Sequence, residues 1–130
     1  MKTKDNTLSL WYVSNEDDAV LAIVSSAQKI EDIHTLKISD DIIENSGLEI
    51  ENKTGKTIVK DLNEFHFNIK NLTYKKLADV SNIIIESLKN EKNFKSYTRE
   101  DIIRILRKAV EDGRIKERSL APRVRDQIKI

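Results

Sequence analysis

Apolar and polar residues alternate through "TLSLWYVS" at positions 7–14. A period of two predicts a β-strand, with Leu8, Leu10 and Tyr12 on one face and Trp11 and Val13 on the other. Ser14 stands where a helix N-cap belongs, and Glu16, Asp17 and Asp18 suit the positive end of a helix dipole. The small and apolar residues of "DDAVLAIVSSAQKI" carry that helix. "DIHTLKIS" (32–39) reads as a second strand. "SDDIIENSG" reads as a turn or two of helix, capped by Ser39 and closed at Gly47. "LEIENKTGKTIVK" (48–60) has the pattern of a β-hairpin whose turn contains Asn52 and Gly55. "EFHFNI" (64–69) alternates again, with Phe65, Phe67 and Ile69 on its apolar face.

The period then changes to 3.6. "LTYKKLADVSNIIIESLKN" sets Leu77, Val80, Ile84 and Leu88 at helical spacing, behind Thr73 or Asn71 as cap. "KNFKSY" reads as a link. In "TREDIIRILRKAVEDG" Thr98 and Asp101 have the spacing of a capping box, with Asp in place of the usual Glu. Ile102, Ile105, Leu106, Ala109 and Val110 form the stripe that this helix buries, and Gly113 ends it. The final "RIKERSLAPRVRDQIKI" reads either as a hairpin turned at Ala121–Pro122 or as an extended tail.

This order predicts an α+β fold: a mostly antiparallel sheet of four or five strands with three main helices packed on it. Residues 1–90 form the sheet-containing core. Residues 91–130 supply a helix plus the basic hairpin or tail, with 91–97 as the boundary, within one compact domain of 130 residues. A helix, a glycine and a strand-like basic hairpin resemble a winged helix loosely. The short middle helix and separate recognition helix of that fold are missing from the pattern.

Charge changes the picture more than composition does. The net charge is +1. Residues 1–90 hold 11 Lys against 15 Asp and Glu, giving −4; residues 91–130 hold 12 Lys and Arg against 7 Asp and Glu, giving +5. All arginines lie between Arg99 and Arg125. On the 99–112 helix they sit four residues from carboxylates: Glu100 before Arg104, and Arg107 before Glu111. Lys108 likewise precedes Asp112. Such neighbours pair locally for about 0.2–0.5 kcal/mol each. Beyond Gly113 the cations Arg114, Lys116, Arg118, Arg123, Arg125 and Lys129 face only Glu117 and Asp126. As a hairpin, this segment places Arg123 and Arg125 on one face, suited to track phosphates.

Two function classes follow. The first is a small cytoplasmic nucleic-acid-binding or regulatory protein that contacts DNA or RNA phosphates through these six cations. The second is a non-catalytic interaction module (inhibitor, immunity, adaptor or assembly protein). Its basic segment docks on an acidic protein, or on the acidic part of a second copy in a homodimer.

Little points to catalysis, a metal or a cofactor. The chain has no cysteine, hence no thiolate ligand, nucleophile or disulfide. His34 and His66 fall in different strands without metal-ligand spacing, and read as polar-face residues. Asp17–Asp18 and Asp40–Asp41 sit at helix starts, where capping explains them. Gly47, Gly55 and Gly113 are too scattered for a phosphate loop, and no G-x-S-x-G occurs. Trp11 and Tyr12 point to opposite faces and Phe65 and Phe67 look like core, so most of this set reads as core rather than as a base-stacking platform. The N-terminus lacks the long apolar stretch of a secretion signal, and no apolar run is long enough to span a membrane.

Overall fold

Alternation and β-branched residues form five strands among residues 8–129, which the computed structural model describes. They build two small antiparallel sheets instead of one. In the first, β4 (His66–Lys70) lies between β1 (Leu8–Trp11) and β3 (Glu49–Asn52). Its register pairs Leu8 with Ile69 and Ile69 with Ile50, so one face of this sheet is apolar. The second is a two-stranded ribbon of β2 (Ile33–Leu36) and β5 (Phe94–Tyr97), with Ile33 opposite Tyr97. β5 occupies the stretch expected to be a link. It ties the C-terminal part back to β2.

The hairpin expected over 48–60 is half formed. Glu49–Asn52 is a strand, but "KTIVK" is not. The buried Asn63 side chain takes the hydrogen bonds a returning strand would have made. Its Oδ1 accepts from the Thr57 amide and hydroxyl, and its Nδ2 donates to the Thr57 carbonyl. Val59 and Leu62 turn into the core, and a 3-10 turn (Lys60–Phe65) leads into β4. β3 therefore pairs with β4. Phe65, expected inside, ends that turn exposed. Gly55 serves close approach: a Cβ there would sit 3.0 Å from the Trp11 ring.

Four main helices and one short one accompany these sheets. α1 (Glu16–Val24) is capped by Asn15, whose side chain accepts from the Asp17 amide, one residue later than expected. α2 (Asp40–Glu44) is a single turn after Ser39, closed by Gly47 at φ 75°. α3 (Tyr74–Leu88) is capped by Thr73. α4 (Arg99–Glu111) opens on the expected capping box of Thr98 and Asp101 and is followed by Gly113 at φ 76°. α5 (Pro122–Ile128) stands where a hairpin or tail was expected. Pro122 occupies its first turn, where a missing N–H costs nothing. Val124 and Ile128, one turn apart, are buried.

The main core joins α1, α4 and α5. Val20, Leu21 and Val24 meet Ile102, Leu106 and Ala109, with Ile115, Leu120, Val124 and Ile128 closing over them. Tyr97 is 1% exposed and donates its hydroxyl to Asp17. Burial, then that bond, pushes the phenol far above its ordinary range. A smaller core of Ile69, Leu72 and Val80 lies between the first sheet and α3.

The capping box carries a pH dependence. Asp101 accepts from the Thr98 amide and hydroxyl, and these bonds, the backbone one first, hold its carboxyl below the usual range. A depressed folded value adds stability above the ordinary carboxylate pKa, about 4. That stability is lost as the pH falls through the folded value. The urea midpoint of Asp101→Asn is therefore expected below that of the natural chain at neutral pH. The two should converge in strong acid, as unfolding at a series of pH values would show.

Candidate anion-binding surface

The six cations beyond Gly113 do not form one face. Arg114 is committed within the fold. Its two terminal nitrogens donate to Asp18 Oδ1 and Asp61 Oδ2, both at 2.8 Å. The Asp18 bond, joined by Asp61, raises its already high pKa further. The guanidinium thus fastens the start of α1 and the 3-10 turn before β4 to the loop after α4. Arg123 and Arg125, expected side by side on a hairpin, lie two residues apart on a helix, about 200° around its axis. Arg123 and Lys129 are exposed on α5 and just past it.

Lys116, Arg118 and Arg125 do come together. With Glu117 they line an open depression of about 520 Å³. Lys116 leads into a short 3-10 turn (Glu117–Ser119), which lifts Arg118 to the surface. Leu120, buried after the turn, and Val124, buried one turn into α5, fix the backbone on either side. None of Lys116, Arg118, Arg123 and Arg125 forms an ion pair among the described residues. The Nε–H of Arg125 is shielded from solvent and has no hydrogen-bond partner there.

The exposed face of α4 offers a contrast. A depression of about 590 Å³ runs along Arg104, Arg107 and Lys108, but also along Glu100, Glu111 and Asp112. Cations and carboxylates balance there, as the helical spacing implies. The individual pairs differ from the expected ones. Arg104 meets Asp101 at 3.5 Å rather than Glu100. Arg107 turns from Glu111 to the end of α5, donating to the carbonyls of Ile128 at 2.7 Å and Lys129 at 3.2 Å. A cation there satisfies orphan carbonyls and the negative end of the helix dipole. Nothing local in the sequence announces this role, because it depends on α5.

The histidines stay apart. His34, in the β2–β5 ribbon, contacts Ser96 Oγ through Nδ1 at 2.9 Å and stacks on Phe94. His66, in the other sheet, donates from Nδ1 to the Lys53 carbonyl at 2.7 Å and leans against Trp11. Among the described residues no group of three His, Asp or Glu is placed to hold a metal ion. No helix there is long and apolar enough to cross a membrane. Compared with protein families, curated proteins and solved structures, the chain matches none.

Proposed function

We propose that the protein is a small nucleic-acid-binding or regulatory protein that grips phosphates with Lys116, Arg118 and Arg125. The observation that carries this reading is the gathering of three cations around one depression, with Glu117 alone opposed and no ion-pair partner for any of them among the described residues. Two of the three are guanidinium forks, which match phosphate oxygens in a plane. Arg123 and Lys129 extend the positive field from α5 without lining the depression. Arg114 belongs to the scaffold.

Binding of labelled DNA and RNA oligonucleotides, followed by fluorescence anisotropy at low salt, tests it. Arg118→Ala/Arg125→Ala is expected to weaken binding about tenfold, a modest loss for two phosphate contacts. Arg104→Ala/Lys108→Ala, on the balanced face of α4, should change it far less. Equal losses from both pairs would mean a diffuse charge effect and no site. In a second reading the same three cations dock on an acidic protein, because a guanidinium fork matches a carboxylate as it does a phosphate. Absence of nucleic-acid binding at low salt would leave that one standing.

A further inference from the structure

α3 is turned so that most of its apolar side chains miss the protein. Of its 15 residues only Val80 and Ser87 are buried. Leu77, Ile84 and Leu88, which the helical period assigned to one buried stripe with Val80, are 39%, 38% and 45% exposed. Ile85 is 57% exposed and Tyr74 93%. At 100° per residue these side chains lie on one arc, rotated from the side where Val80 and Ser87 are buried, Val80 against the first sheet.

The spacing along this arc is specific. Tyr74, Leu77, Ser81, Ile84 and Leu88 follow one another at intervals of three, four, three and four. That is a two-heptad seam, the pattern by which one helix takes another into knobs-into-holes contact. The charged residues Lys75, Lys76, Asp79, Glu86 and Lys89 all lie off it, so covering the seam strands no charge.

We propose that α3 is a homodimer interface, with the α3 of a second copy packed antiparallel across a two-fold axis at Ser81. An isologous contact must be self-complementary, and this one is. About Ser81, Leu88 of one copy meets Tyr74 of the other, Ile85 meets Leu77, and Ile84 meets Ala78. Ser81 meets itself, and one hydroxyl can donate to the other. Together the exposed apolar side chains offer on the order of 600 Å² per copy, or ~1,200 Å² per pair, the lower end of the range for specific interfaces. A patch of that size is at the upper limit of what monomers leave open. The proposal stands apart from the basic surface, which lies on other elements.

Sedimentation of the full chain over a concentration series tests it. The expected mass rises from 15.0 kDa to twice that value with concentration. Ile85→Glu, at a position already more than half exposed, should weaken association at least ~100-fold, because two carboxylates then face the seam. Its circular dichroism should be unchanged. The natural chain has no cysteine, so Ser81→Cys places one thiol per copy at the axis. It should oxidise to a disulfide-linked dimer much faster than Glu86→Cys, which lies off the seam. A chain that stays at 15.0 kDa at every concentration overturns the proposal and leaves the seam to a helix of a different protein. A dimer that survives Ile85→Glu, or equal oxidation of the two cysteine variants, overturns it in favour of another face.

Discussion

Val124→Asp is expected to destabilise the protein by about 3–5 kcal/mol, the cost of an unpaired charge in a core. Val124 is 0% exposed, held among α1, α4 and α5. The same substitution in an extended tail would change stability by a few tenths of a kcal/mol. Chemical denaturation separates the two outcomes by a wide margin. The experiment also decides whether the basic surface is rigid. Lys116, Arg118 and Arg125 stand on a stretch of backbone that the buried Leu120, Val124 and Ile128 anchor to the core. Two polar contacts reinforce that anchor: Arg107 on the last carbonyls of α5, and Gln127 Oε1 accepting from the Ile30 amide at 3.2 Å.

The second large effect concerns Arg114. Arg114→Ala should cost about 2 kcal/mol: each charged hydrogen bond is worth more than a neutral one, and partial exposure reduces the total. The Arg114 and Asp18 side chains are 28% and 24% exposed, so the Asp18 arm carries most of the effect. Asp61 is 59% exposed and adds little. Arg114→Lys should recover less than half, because one ammonium cannot present two planar donors to two carboxylates. If Arg114→Ala instead left stability unchanged and weakened nucleic-acid binding as strongly as Arg118→Ala/Arg125→Ala, this residue would belong to the surface and not to the scaffold.

Local signals in the sequence were readable where the structure obeys them locally. Thr98 and Asp101 announce the start of α4, Gly113 its end, Thr73 the start of α3, and Leu8 to Trp11 the first strand. In two of the failures a contact from outside the stretch overrides its local pattern. "KTIVK" alternates like a strand, but Asn63 captures Thr57 and the core takes Val59. "FKSY" is too short and polar to stand out, yet β2 recruits it as β5. In "RVRDQIKI" a strand would line up Val124, Asp126 and Ile128, putting a carboxylate on the inner face. The helical reading joins Val124 to Ile128 without it, and Pro122 fits a first turn. That signal was present, and the alternation of cations hid it.

The candidate site shows the same division. The excess of positive charge beyond residue 90 is plain in the sequence, and so is the balance of charge along α4. Which cations remain without partners is not. Arg114 reaches Asp18 and Asp61, 96 and 53 residues away. Arg107 reaches backbone carbonyls that exist as a helix end only once α5 has folded. The apolar arc of α3 was legible as a stripe. Its outer part faces solvent because α3 is buried only at Val80 and Ser87, on the adjoining arc.

Phosphate binding by this surface is tested most directly by the salt dependence of oligonucleotide binding by the natural chain. Three cations meeting three phosphates of duplex DNA predict that the logarithm of the affinity falls against the logarithm of salt concentration with a slope of roughly −2.7. For a single strand the slope should be about −2. A slope in that range that loses about two thirds of its size in Arg118→Ala/Arg125→Ala is the expected result. A slope near zero, or one that the double variant leaves unchanged, would contradict phosphate binding by Lys116, Arg118 and Arg125.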